Sequence, residues 1–188
     1  FISFVPLFYN INVYHKKFSF GLFNSIYLTF LIWNLISTSW LYYASFEGML
    51  FAILVNSFLM TTIFSFYKIV SLKINSKLSL LFLVSLWISF EKFHLNWDFS
   101  WPWLNLGNVF SEKTEWIQWY EYTGSFGGTL WVLIINILFY KILIQFLEKK
   151  ALKKQLITAS LLVIIPIIIS KYIYHKTDLN GDSKNFFI

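Results

Sequence analysis

The sequence predicts an all-α membrane protein, a polytopic bundle of transmembrane helices. Of its 188 residues, 57% are hydrophobic and 13% are charged. A soluble domain carries about 25% charged residues, so this chain has too little polar surface to cover a water-soluble globule. The apolar residues also form runs close to the roughly 20 residues that a helix needs to cross a bilayer, and lysines cluster between those runs.

Five apolar runs predict full transmembrane spans, at residues 18–43, 49–67, 78–94, 125–147 and 156–174. The third is long enough only if its helix continues through Glu91 to His94. Residues 1–13 are apolar but about half a span long, and they lack a starter Met and a basic signal-peptide region. They predict a partial span, so we expect the chain to begin midway through a helix. Residues 1–174 are therefore expected to form one helical domain, followed by a polar linker at 175–188.

The lysines predict the orientation of these spans. With Lys16 and Lys17 placed in the cytoplasm, ten of the 15 basic residues lie on that side, together with a single acid, Glu148. Basic flanks resist translocation across the membrane, so this alternation supports the order of the spans. Loop 95–124 and the C-terminal end are then extracytoplasmic. Because the lysines fall in short loop clusters and form no continuous patch, a nucleic-acid partner is not predicted.

The extracytoplasmic loop is unusually aromatic, and it opens with "HLNWDFSWPWLNLGN" at residues 94–108. Seven of the nine tryptophans lie in or beside it. Indoles favour the headgroup region, where the ring is partly buried and its N–H finds a partner. The loop is thus either an interfacial belt or a specific contact for lipid or substrate. The contact candidates are Trp97, Trp101, Pro102 and Trp103, and Pro102 predicts a turn because it disfavours helix at Trp101.

Glu91 is a candidate because an ionisable residue at the end of an apolar helix is commonly functional. His94 follows three residues later on the same helical face, so the two are expected to pair. The alternative is a structural pair that fixes the helix end. The three histidines are scattered and the chain has no Cys, so neither a metal site nor a thiol nucleophile is predicted. No pattern of residues indicates a cofactor or an active site.

The segment "TGSFGGTLWVLIIN" opens the next span. Gly124 and Gly128 are four residues apart, a spacing that allows two helices to approach closely in a membrane. Gly127 can serve either the same packing or a turn at the helix start. Asn136 lies further along this helix and is expected to form a hydrogen bond to a neighbouring helix.

Taken together, these segments resemble the apolipoprotein N-acyltransferases over about fifty residues. The family's membrane domain ends one helix with a Trp and a Glu, continues with an aromatic-Pro-Trp-x-x-Leu-Gly turn and a Gln, and starts the next helix with Gly-x-x-Gly and a later Asn. The matching positions are Trp87, Glu91, Trp101, Pro102, Trp103, Leu106, Gly107, Gln118, Gly124, Gly127 and Asn136. One departure is His94, where many members carry an Arg.

The resemblance implies an enzyme of the bacterial inner membrane with eight transmembrane helices and an extracytoplasmic nitrilase-like domain. That domain carries a Glu-Lys-Cys triad, which moves an acyl chain from a membrane phospholipid to the N-terminal amine of a lipidated lipoprotein. No catalytic residue is then expected in this chain, which stops where the nitrilase-like domain should begin. Such a fragment is expected to be inactive alone and to act with that domain. The rival hypotheses are a non-catalytic membrane scaffold and a small transporter subunit.

Overall fold

The computed structural model describes residues 1–14 and 17–179. Every regular element in these ranges is helical, which confirms the all-helical fold predicted from the composition. The α-helices are α1 Val5–Tyr9, α2 Phe20–Thr38, α3 Phe46–Ser71, α4 Ser76–His94, α5 Tyr120–Leu147 and α6 Lys153–Leu179. Since α6 continues to Leu179, it includes the first residues of the predicted linker; the rest of that linker lies outside the described residues.

Within the described ranges, four segments are long and apolar enough to cross a membrane: Phe20–Tyr43, Phe46–Ser71, Tyr120–Leu147 and Lys153–Lys176. The predicted span at 78–94 does form a helix, α4, but it is not among these four. Its 19 residues contain Lys77, Glu91 and Lys92, and any stretch of 18 includes all three charges. At residues 1–14 the chain forms the short α1 and a π-helical turn, Asn10–Tyr14.

The chain divides into two compact units. The first is Ser3–Leu104, and the second consists of Phe1–Ile2 together with Asn105–Ile188. The first unit contains α1 to α4 around a buried aromatic cluster. The Trp87 ring lies 5.4 Å from Phe4, 5.7 Å from Phe64 and 6.1 Å from Phe30, measured between ring centroids. Rings at these spacings add stabilisation beyond the area they bury. Trp87 is therefore part of this unit's aromatic core.

A buried amide pair joins α2 to α3 inside the first unit. Asn56 Nδ2 donates a 2.6 Å hydrogen bond to Asn34 Oδ1, and Asn34 Nδ2 donates to the Phe30 carbonyl at 2.9 Å. Both amides are almost fully buried. A polar group inside a membrane helix is costly unless it is paired, so this bond fixes how the two apolar helices align.

The second unit is built on α5 and α6, and Pro166 lies inside α6. Proline has no N–H, so it leaves the carbonyl four residues earlier without its helical donor. That carbonyl belongs to Leu162, and the Trp131 indole of α5 donates to it at 2.6 Å. A side chain of α5 thus replaces the hydrogen bond that Pro166 removes from α6.

The outward surface of α6 is apolar and uncovered. Its most apolar stretch of 18 residues has a mean hydropathy of 2.2, yet only 11% of that stretch is buried. Isoleucines and leucines along its length are exposed, among them Leu161, Ile164 and Ile168. In water such a surface would be far larger than the apolar patches of soluble proteins, so α6 requires a lipid environment.

Candidate functional site

The end of α4 carries the first candidate, Glu91. Its carboxylate is 2% exposed, and its Oε1 accepts a 3.0 Å hydrogen bond from the Trp87 indole N–H. The two residues are four apart on one helix, which places their side chains on the same face. Glu91 is thereby tied directly to the aromatic core of the first unit. The resemblance to the family placed a Trp and a Glu at the end of this helix without indicating that they bond.

His94 ends α4 and is 4% exposed. Its ring stands edge-on to Phe90 at 4.9 Å and to Trp97 at 5.3 Å, measured between centroids. Glu91 was expected to pair with His94, whereas the donor that the structure shows for Glu91 is Trp87. Within the described part of the chain, the imidazole has these aromatic contacts and no side-chain hydrogen bond.

After α4 the chain turns back on itself, as Pro102 predicts. The Trp101 backbone N–H donates to the His94 carbonyl at 3.2 Å, and a single 3-10 turn follows at Pro102–Leu104. Trp103 is 60% exposed, and its ring stands edge-on to Trp40 at 5.6 Å. The two indoles that flank Pro102 thus differ: Trp103 faces outward, and Trp101 turns toward the body of the first unit.

Trp101 lines a cavity of about 230 Å³ within the first unit. Its walls come from the first turns of α3, the end of α4 and the segment that follows: Gly48, Phe51, Ala52, Val55, Asn56, His94, Trp97, Phe99, Ser100 and Trp101. The Phe51 and Phe99 rings meet at 5.3 Å between centroids and connect α3 to that segment. Three of the predicted contact residues, His94, Trp97 and Trp101, therefore share one cavity.

Two indoles of the cavity wall have buried nitrogens. The indole nitrogens of Trp97 and Trp101 are buried and have no hydrogen-bond partner among the described residues. Buried polar groups are paired in the great majority of native structures, and an exception needs an explanation. Because neither nitrogen has appreciable accessible surface, these indoles present their ring carbons to the cavity, and His94 contributes an imidazole to the same wall.

In the second unit, Gly107 is held on both sides by the start of α5. Its backbone N–H donates to Thr129 Oγ1 at 3.0 Å, and its carbonyl accepts from the Tyr120 hydroxyl at 2.9 Å. A Cβ at position 107 would overlap the Ser125 backbone carbonyl. Gly107 ends the aromatic-Pro-Trp-x-x-Leu-Gly turn, and its lack of a side chain is what permits this close approach.

The three glycines of α5 differ in their backbone conformation and in what surrounds them. Gly124 has φ 66° and interrupts the helix, and no heavy atom lies within 4 Å of where its Cβ would be. Gly124 thus forms a turn near the helix start, the alternative role that the sequence left open for Gly127. A Cβ at Gly128 would overlap the Tyr120 ring, and one at Gly127 would overlap the Thr123 side chain.

Two further predicted residues bond within their own segments. Asn136 is fully buried, and its amide donates to the Val132 carbonyl of α5 at 2.9 Å; its bond to a neighbouring helix stays a prediction. Gln118 donates to the Thr114 carbonyl at 2.8 Å. Gln118 and Asn136 belong to the second unit, while Glu91 and the cavity belong to the first.

The sequence analysis missed Asn56 and Phe51, which line the cavity from α3. Asn56 does carry a signal, since an amide in the middle of an apolar span usually meets a partner or a ligand. Phe51 carries none, because the chain has 22 Phe residues and most of them face lipid or core. Thr129 was also missed; its hydroxyl is fully buried beside Gly107.

Comparison with known proteins identifies relatives. The model of the apolipoprotein N-acyltransferase N-terminal domain matches residues 1–138. A curated apolipoprotein N-acyltransferase from Chlorobaculum tepidum is 25% identical over 185 residues, which cover 97% of this chain and 34% of that protein. The chain therefore spans about a third of the length of this curated relative. No solved structure matches it.

Proposed function

The chain belongs to the apolipoprotein N-acyltransferase family, and we propose that it forms the membrane domain of an enzyme that acylates lipoproteins. The complete protein would transfer an acyl chain from a phospholipid to the N-terminal diacylglyceryl-cysteine amine of a lipoprotein. It would reside in the bacterial inner membrane, with loop 95–124 on the extracytoplasmic side. Phospholipid and lipidated lipoprotein would be its substrates.

The chemistry requires a nucleophile that these 188 residues do not contain. In the mechanism that the family resemblance implies, a thiolate takes the acyl chain as a thioester and then passes it to the amine, a ping-pong exchange. The sequence has no Cys, and no pattern in it indicates a catalytic triad. The chain's own contribution is therefore to bind and position lipid, and the 188 residues alone should be inactive. A nitrilase-like domain of the same protein would supply the triad.

The cavity beside Trp101 is the observation that carries this proposal. Both substrates are largely hydrocarbon and reside in the bilayer, so the enzyme must admit them from the side. Trp97 and Trp101 line a cavity where α4 ends, and Trp103 stands exposed on the same turn. Indoles suit this position because the ring contacts acyl chains while the N–H reaches polar headgroup atoms. These residues would form part of the rim over which lipid passes.

A replacement experiment in cells tests the proposal. A bacterium depleted of its own enzyme of this family would receive the complete protein, the 188-residue chain, or the complete protein with Trp101→Ala. We expect N-acylated lipoprotein, measured by mass spectrometry, to return fully with the complete protein and not with the 188-residue chain. Trp101→Ala should restore less than the matched control Tyr43→Ala, because Tyr43 is 91% exposed and does not line the cavity.

Failure of the complete protein to restore any acylation, while it is inserted and folded, would contradict the proposal. It would favour a non-catalytic membrane scaffold or a small transporter subunit. Acyl transfer by the isolated 188 residues would contradict the assignment of the chemistry to another domain.

A further inference from the structure

The cavity of the first unit combines apolar walls with polar groups at one side. Phe51, Val55 and Phe99 supply much of the apolar wall. His94 is 96% buried, since it is 4% exposed, and its ring lines the cavity without a side-chain hydrogen bond to any described residue. Specific ligand sites commonly have this composition, a mostly apolar cavity with a few polar groups that fix orientation.

The charge of the residues that line the cavity limits which class of ligand can bind there. None of the described residues that line the cavity is Lys, Arg, Asp or Glu. A phosphate or carboxylate would therefore enter an apolar site with no permanent cation beside it, which is unfavourable. An uncharged hydrogen-bond acceptor has no such cost. His94 can supply a donor to such an acceptor, because a neutral imidazole carries one N–H.

Size limits the ligand further. Ligand pockets commonly measure about 300–1,000 Å³, so a cavity of about 230 Å³ takes only a small part of a lipid. A whole phospholipid does not fit, but an ester group with the first few carbons of its acyl chain does. The remaining chain would extend along exposed apolar surface of the first unit, which includes Leu54 and Phe58 of α3.

From these features we propose that the cavity binds the ester group of an ester-linked acyl chain, with His94 donating a hydrogen bond to the ester carbonyl oxygen. The rings of Trp97 and Trp101 form part of the wall around it. This inference rests on the proposed function, because it names the part of the lipid that the rim recognises. Two lipids could present this chemistry, the phospholipid acyl donor and the diacylglyceryl lipid of the lipoprotein.

Pairs of lipids that differ in the ester carbonyl alone test this assignment. The complete protein, purified in detergent, would be mixed with phosphatidylethanolamine or with its dialkyl ether analogue. A second pair would be a synthetic diacylglyceryl-cysteine peptide and its dialkylglyceryl counterpart. Native mass spectrometry would then measure the fraction of protein that retains each lipid.

We expect the wild-type protein to retain the ester form about five- to tenfold more strongly than the ether form, as one neutral hydrogen bond would give. His94→Phe should abolish this preference, because it keeps an aromatic ring and removes the donor. His94→Gln should keep part of it. His175→Phe, which alters an exposed histidine of α6 that does not line the cavity, should leave it unchanged. A preference within the phospholipid pair assigns the site to the acyl donor, and one within the peptide pair assigns it to the acceptor.

Equal retention of ester and ether lipids by the wild-type protein would overturn the assignment, as would an ester preference that survives in His94→Phe. Either result would leave the proposed function standing, because lipid would still be bound. If His94→Phe does not fold, loss of the preference in His94→Leu, with its persistence in His175→Phe, gives the same decision. Retention of neither lipid class by folded protein would instead count against the proposed function itself.

Discussion

The indole N–H of Trp87 donates a 3.0 Å hydrogen bond to Oε1 of Glu91, one turn further along α4. Trp87 is fully buried in the aromatic core, and Glu91 is 2% exposed. A buried carboxylate is tolerated when hydrogen bonds satisfy it, so this bond is part of what allows Glu91 to be there. It also anchors the end of α4, from which His94 reaches the cavity.

The first prediction concerns this bond. Trp87→Phe should lower the free energy of unfolding by about 2–4 kcal/mol, because the smaller ring leaves a cavity and a buried oxygen loses a donor. Circular dichroism during denaturation by SDS in mixed micelles would measure it. Trp40→Phe makes the same chemical change at an exposed position and should cost less than about 0.5 kcal/mol. Equal costs for the two variants would show that the Trp87 bond has no special role.

The second prediction concerns the amide pair between α2 and α3. Asn34→Leu should destabilise the protein because it leaves the Asn56 amide buried without the partner that it now has at 2.6 Å. A double-mutant cycle with Asn56→Leu should give a coupling of about 0.6–1.7 kcal/mol, the range for hydrogen bonds between membrane helices. Additive effects of the two substitutions would contradict a direct contact.

The third prediction concerns the Trp131 indole and the carbonyl that Pro166 leaves without a donor. Trp131→Phe should cost about 1–3 kcal/mol, since the Leu162 carbonyl then has no donor in an apolar environment. In a Pro166→Ala background the backbone N–H of residue 166 can serve that carbonyl, so the same substitution should cost less. A cost of Trp131→Phe that is independent of residue 166 would refute this exchange of donors.

The fourth prediction compares two glycines. Gly107→Ala should destabilise the protein by several kcal/mol, because the new methyl group would overlap the Ser125 backbone carbonyl, which cannot move without shifting α5. Gly21→Ala serves as the control, since its nearest neighbour is Ser19 Oγ at an ordinary 3.9 Å. It should be neutral or slightly stabilising, as alanine is favoured over glycine in a helix. Thermal unfolding in detergent would compare the two variants.

The sequence predicted those parts of the fold that depend on composition and period. Apolar runs of span length indicated α2, α3, α5 and α6, because nothing but a helix satisfies its own backbone within a bilayer. The predicted ends differ from the observed ones by a few residues, since capping groups such as Ser45, whose Oγ accepts from the Gly48 N–H, extend the helix beyond its apolar run. Helix α4 was harder to predict as a membrane span, because its charges lie at both ends of a short apolar stretch.

The candidate site was predicted in part. The density of Trp and Pro after α4 pointed to a segment of which four residues, Trp97, Phe99, Ser100 and Trp101, line the cavity. The hydrogen bond from Trp87 to Glu91 was not predicted. Residues three and four positions apart on a helix are both neighbours, so the sequence alone does not show whether His94 or Trp87 bonds to Glu91. Asn56 and Phe51 come from another helix, and their meeting with the 95–104 segment depends on tertiary packing.

The most direct test of the account is the rate of acyl transfer by the purified complete protein carrying Trp101→Ala. The acyl donor would be phosphatidylethanolamine in mixed micelles, the acceptor a synthetic diacylglyceryl-cysteine peptide, and the product would be quantified by mass spectrometry. If the turn after α4 binds lipid, Trp101→Ala should raise KM for a lipid substrate about tenfold and change kcat little. Its melting temperature should stay near that of the wild type. Unchanged KM and kcat in a folded Trp101→Ala protein would contradict the account and leave the aromatic turn as an interfacial anchor.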